Sequence, residues 1–215
     1  HEQEGIDYAR GGLPNADPYQ LWALAELLDP STGHLHELDL IILGHSALYL
    51  VELKAHPGRI TGDSVDWWWY PPEGGRVYLE PPLKRINLKA KIFKGLLRRH
   101  MQYPANAPRV EGLVFLPAQK LKLDLAPQGR IGVVTRDGFR AAITQHDFHG
   151  APAGWQGRRI SLPVMRDVTK ALHKMDIRPR EAKMHAGSYE LRRLLAEGEG
   201  YQDREAVHRH NNNIR

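Results

Sequence analysis

The chain has 215 residues, 30 Lys and Arg against 25 Asp and Glu for a formal net charge of +5, 41% apolar residues and no cysteine. Disulfides, thiolate metal sites and cysteine nucleophiles are therefore excluded, and so is a disordered chain, because the apolar residues are numerous and evenly spread. No apolar run approaches a membrane span, HEQEGIDYARGG lacks the order of a signal peptide, the lack of cysteine is compatible with a reducing cytoplasm, and the basic balance suits a polyanionic partner.

Residues 1–13 read as a helix, with Ile6, Ala9, Arg10 and Leu13 at helical spacing and Gly11-Gly12 weakening its end before Pro14. Tyr19 to Leu28 has the composition of a helix, but its length and the turn residues Asp29 to Gly33 that follow suit a hairpin. Leu38 to Leu43 and Leu48 to Lys54 read as strands, and the four residues Gly44 to Ala47 between them fit a hairpin loop but no parallel crossover. If Leu43 pairs with Leu48, Asp39 falls across from Glu52, with Lys54 on the same face. Opposed carboxylates repel, and a hard divalent cation with oxygen ligands would offset that cost; a solvated Glu52 and Lys54 beside a satisfied Asp39 is the plainer alternative.

Trp67-Trp68-Trp69-Tyr70 cannot all face inward on a strand, so they either close a far face of the sheet or stack on nucleotide bases. Glu73-Gly74-Gly75-Arg76 turns into Val77-Tyr78-Leu79. Residues 84–101 form the clearest amphipathic helix, with Ile86, Ala90, Phe93, Leu97 and Met101 as its apolar stripe. Asn87, Lys91, Lys94 and Arg98 lie opposite, either as a basic wall for a DNA backbone or as a plain solvated face. Leu113 to Leu116 reads as a central strand and Ile131 to Thr135 as another, with Arg136-Asp137-Gly138 turning after it. His146-x-x-His149 lacks the partners of a zinc site and reads as a loop. Leu162 to Met175 and Tyr189 to Leu195 read as helices.

The Asp39…Glu52-Leu53-Lys54 arrangement resembles the PD-(D/E)XK nuclease core. More narrowly, Glu37-Leu38-Asp39, Leu50-Val51-Glu52-Leu53-Lys54 and Pro57-Gly58 resemble the NERD (nuclease-related) domain. The similarity continues through Trp67 to Trp69, the Asn87-to-Arg99 helix and Val114-Phe115-Leu116. The tail Gly198 to Asp203 is similar to the junction after which large defence proteins of the bacterial phage-growth-limitation (BREX-like) type carry a protein kinase domain. The ends at His1 and Arg215 read as those of an excised piece of a longer protein.

This resemblance implies an α/β fold, a restriction-endonuclease-like mixed central sheet flanked by helices, with a C-terminal helical appendage. Residues 1–150 would form the nuclease core, 151–200 a helical covering region, and 201–215 the start of a linker to the kinase. It makes Tyr19 to Leu28 a strand paired with Leu35 to Leu43. It implies Mg²⁺ or Mn²⁺ on Asp39 and Glu52, Lys54 as the catalytic cation, and Glu4, with Glu2 in reserve, or Glu26 completing the shell through water. The family's helix usually begins Asn-Pro and carries a Gln one turn later; here Leu88 and Lys91 stand at those positions. The implied function is a metal-dependent DNA endonuclease or nickase domain of an anti-phage defence protein. The alternatives are a catalytically inactive DNA-binding module that regulates a linked kinase, and a protein-interaction scaffold; a homo-oligomer is left open.

Overall fold

The central feature of the computed structural model is a hairpin whose register the sequence already suggests. The structure describes residues 2–152, 159–175, 177–179, 185–186, 189–198 and 201–208, the last three stretches as backbone. The order is α1 (Glu2–Gly12), β1 (Gln20–Leu28), β2 (Leu35–Leu43), β3 (Ala47–Leu53), β4 (Arg59–Gly62), β5 (Trp67–Tyr70), β6 (Val77–Leu79) and α2 (Pro82–His100). Then follow β7 (Arg109–Leu116), β8 (Lys122–Leu125), β9 (Val133–Thr135), α3 (Arg136–Gln145), α4 (Leu162–Lys174) and β10 (Arg178–Pro179). A second unit, from Arg180 onward, contains β11 (His185–Ala186), β12 (Tyr189–Gly198) and β13 (Tyr201–His208) as an antiparallel sheet.

The main sheet runs β10-β1-β2-β3-β7-β9. Its first four strands pair antiparallel, whereas β7 lies parallel to both β3 and β9. Parallel neighbours need a crossover, and α2 lies on the one from β3 to β7. Strand β3 and the second half of β7, Leu113 to Leu116, are buried on both faces, which is why they read as nearly unbroken apolar runs. On one face Leu48, Leu50 and Val114 pack with Ile86, Phe93 and Leu97 of α2 and with Val168 and Leu172 of α4. On the other, Tyr49, Val51 and Phe115 pack with Ile6 and Ala9 of α1 and with Phe139 and Ile143 of α3.

A smaller sheet, β6-β5-β4-β8, covers the α2 side. Alternation along β5 sorts the aromatics: Trp67 is buried, Trp69 packs on the same core, and Trp68 lies under the Arg76 guanidinium and edge-on to Tyr78. Closing the far face is thus what Trp67 and Trp69 do.

Gly44 closes the β2–β3 turn through its N–H to the Ala47 carbonyl. A Cβ there would lie 2.7 Å from the Tyr49 ring and 2.8 Å from the Ile143 carbonyl. Gly44→Ala is therefore expected to lower unfolding stability by about 2 kcal/mol in urea titration, since backbone must move to admit the methyl group; an unchanged midpoint would contradict this packing.

Three expectations are corrected. Arg136-Asp137-Gly138 opens α3 rather than a turn, because Phe139, Ala142 and Ile143 share a buried face. Tyr189 to Leu195 lies in β12, not a helix; its pairing with β13 carries irregularities between Leu191 and Leu194 and between Leu194 and Ala196, which break the period-two pattern. The helical appendage expected there is a strand hairpin in its described residues, while Leu162–Lys174 is the helix expected. The linker expected to start within residues 201–215 is not among these corrections: only Tyr201–His208, in β13, are described, and residues 209–215 lie outside the described residues.

Candidate active site

The β2–β3 pairing keeps one register, Leu43 with Leu48 through Leu40 with Val51, and counting one step further would set Asp39 opposite Glu52. The ladder stops there. The Asp39 carboxylate takes over its role, accepting the Leu53 N–H at 2.8 Å. The other neighbour of Asp39 is also irregular: the β1–β2 register skips Leu24, whose φ is +51°, a backbone region costly for a branched side chain. Across this step the faces switch, so that Ala25 and Leu38 pack on the α2 side while Ala23 and Leu40 pack on the α1 side. Asp39 thus sits at a break in the sheet, with its side chain turned to the end of β3.

Glu52 faces α2 and is held by two lysines. Lys54 donates to Oε1 at 2.9 Å, and Lys89 of α2 donates to Oε2 at 3.0 Å and to the Glu37 carbonyl at 2.7 Å. The side chains of Glu52 and Lys89 are only 13% and 14% exposed, against 37% for Lys54. Burial works to raise the Glu52 pKa, but the hydrogen bonds and charges of Lys54 and Lys89 outweigh it and the net shift is downward. Lys54 is fixed at its backbone by the Phe115 carbonyl of β7. His56 donates its backbone N–H to the Lys54 carbonyl and rests its ring on Trp69, 4.7 Å between centroids.

A groove of about 320 Å³ opens beside this end of the sheet, lined by Glu4, Ala55, Pro57, Pro117, Ala118 and Gln119. It lies past the carboxyl ends of β3 and β7, where open α/β sheets commonly bind ligands. Gly5 lets α1 approach, since a Cβ there would meet Pro117 at 2.9 Å and Leu53 at 3.3 Å. Glu4 reaches this groove from the face opposite Glu52, and its carboxylate is paired with Arg136.

The structure brings Asp39, Glu52 and Lys54 together and places the other sequence candidates elsewhere. Glu2 is exposed in the first turn of α1, and Glu26 pairs with Glu37 on β1, one strand further from Glu52. Asn87, Lys91 and Lys94 line a separate cavity of about 550 Å³ with Arg109 and Glu111, which form an ion pair. Arg109 pairs with Ala47, at the turn end of β3, roughly 16 Å along the strand from Glu52 at 3.3 Å per residue. Arg98 is exposed in the last turn of α2. Lys89 was missed by the sequence reading, though it lies two residues from both Asn87 and Lys91 and hence on the opposite flank of the helix.

The carboxylate oxygens of Asp39 and Glu52 are of the type a hard divalent cation takes, while both Glu52 oxygens are paired with lysines. Mg²⁺ is commonly held by one or two carboxylates with several waters and substrate phosphates, and Asp39 and Glu52 supply such oxygens. Among the described residues no group of three or more His, Asp and Glu is arranged to hold a metal, so a closed protein cage is not what this site offers. His146 is buried with Nδ1 2.7 Å from the Tyr49 hydroxyl, away from any such group.

Burial lowers the pKa of His146, helped by Arg109; burial also lowers that of His36, helped by His34, and that of His56, helped by Lys54. A histidine with a folded pKa below its unfolded value stabilises the fold fully above about pH 6.5 and less as pH falls, because the unfolded chain then binds more protons. The melting temperature is therefore expected to drop between pH 7.5 and 5.5, and His146→Leu to flatten that drop; an equal drop in the variant would remove His146 from the account.

The mixed α/β sheet thus carries Asp39 and Glu52-Leu53-Lys54 at one end of its central hairpin. The chain belongs to the nuclease-related domain family, whose model matches residues 2–117. It is also similar to the "Probable kinase PglW" of Streptomyces coelicolor, at 32% identity over 193 residues, which is 90% of this chain and 12% of that protein. No solved structure matches the chain. Among the described residues no helix is long and apolar enough to cross a membrane.

Proposed function

We propose that this domain is a Mg²⁺- or Mn²⁺-dependent DNA phosphodiesterase, an endonuclease or nickase of the PD-(D/E)XK type. In this reading it serves a cytoplasmic anti-phage defence protein of bacteria. The observation that carries the proposal is the convergence of Asp39, Glu52 and Lys54 at one end of the β2–β3 hairpin, in a chain of the nuclease-related family. Asp39 and Glu52 would hold the ion, which when bound polarises the scissile phosphate and stabilises charge on the leaving oxygen. Lys54, anchored at its backbone to β7 and more exposed than Lys89, orients or deprotonates the attacking water and donates to the phosphate as negative charge builds there. Glu4 lies on the adjacent groove but on the opposite face from Glu52 and paired with Arg136, so this reading gives it no direct hold on the ion. Lys91, Lys94 and Arg98 would contact the DNA backbone away from the scissile bond.

The relative named a probable kinase supports a kinase domain in the same full-length chain, since the present chain spans 12% of that protein. One observation favours a second reading, a DNA-binding module without catalysis that reports to such a kinase. Both Glu52 oxygens are already neutralised by lysines. Conversion of supercoiled plasmid with Mg²⁺, with Mn²⁺ and with EDTA, beside Glu52→Ala, separates the two. Metal-dependent nicking lost in the variant supports the nuclease; a salt-sensitive mobility shift without conversion selects the binding module.

A further inference from the structure

Lys89 holds Glu52 from a different element than the ExK strand does, and it does so from a buried position. Its ammonium bridges the Glu52 carboxylate and the Glu37 carbonyl, joining β3 to β2 beside Asp39. With Lys54 on the other Glu52 oxygen, two ammonium groups face the single charge of Glu52, where a divalent cation would need a negative centre. Two cations cannot share the Glu52 oxygens at close range without repulsion, and the repulsion is strong where water is largely excluded.

We propose that Lys89 is a built-in competitor for the divalent-ion site, occupying Glu52 and setting a high ion concentration for loading. This rests on the reading of Asp39 and Glu52 as ion ligands. The ion must displace the Lys89 ammonium from Oε2 or bind beside it, and either route weakens its affinity. On displacement from Oε2, Lys89 keeps the Glu37 carbonyl as its partner. Lys89 thereby acts as a positioning residue for Glu52 and not as a group that touches substrate.

The test is Mn²⁺ titration of the purified domain, followed by electron paramagnetic resonance of the free ion and without DNA. Lys89→Met removes the charge, and Lys89→Gln keeps a donor for the Glu37 carbonyl should the first variant unfold. Both are expected to bind Mn²⁺ about tenfold more tightly than the wild type, a modest share of the repulsion between charges a few ångströms apart. Asp39→Asn in the Lys89→Gln background is expected to lose that gain, which fixes the ion to this site. Equal affinity in the wild type and both Lys89 variants, with weaker binding in Asp39→Asn alone, overturns the competitor role and leaves the ion site standing. Binding that none of these substitutions changes overturns both.

Discussion

Lys54→Met is expected to slow single-turnover cleavage of DNA by about a thousandfold, the loss typical of removing one preorganised donor to a charge that develops in the transition state. The substitution keeps the aliphatic stem and removes only the ammonium. Glu52 retains Lys89 at 3.0 Å, so the fold and the carboxylate position survive. DNA affinity should change little, because the cations of the Lys91 groove lie at the other end of the strand and backbone binding is the sum of many phosphate contacts. Rates measured with enzyme in excess over labelled duplex separate the two effects. A loss below about tenfold would show that Lys54 does not face the charge that develops in the transition state.

Glu52→Leu is expected to cost about 3 kcal/mol of stability, because it leaves the Lys89 ammonium in a mostly enclosed position with a single carbonyl partner. Lys54 contributes less to that loss, being more exposed and able to turn to solvent. The double variant Glu52→Leu, Lys89→Met should recover most of the deficit, since the uncompensated charge goes with its partner. Urea denaturation of the two single variants and the double variant gives the coupling directly. Additive effects would mean that the Lys89–Glu52 contact is not an energetic unit and would weaken the case for Lys89 as a competitor.

The hairpin was legible because its physics is local. Leu38 to Leu43 and Leu48 to Leu53 are apolar strands joined by a loop too short for anything but antiparallel pairing, so the register follows from counting. That same counting put Asp39 across from Glu52, but it could not foresee that the ladder ends there and that Asp39 bonds the Leu53 N–H instead. The β1 side of Asp39 is irregular too, at the positive φ of Leu24, a position with no glycine or asparagine to announce it. Lys89 was illegible for a related reason: its neighbours Asn87 and Lys91 drew attention to one flank of α2, and only the packing of the helix across β3 brings the other flank to Glu52. Helix α3 hid behind Gly138, a residue that reads as a turn when the buried Phe139, Ala142 and Ile143 are not yet seen as one face. In β12 the spacing of Leu191, Leu194 and Leu195 imitates a helix, and the irregular pairing with β13 removes the alternation that would have marked a strand.

The most direct test of the account is conversion of supercoiled plasmid by the wild type and by Asp39→Asn, side by side with Mn²⁺ and with EDTA. Asn keeps a carbonyl oxygen to accept the Leu53 N–H, so the hairpin end is preserved while the negative charge is lost. Nicked or linear product with Mn²⁺, absent with EDTA and absent in Asp39→Asn, is the result expected of a nuclease built on this hairpin. Equal conversion by the folded Asp39→Asn variant, or none by the wild type with Mn²⁺, would contradict it.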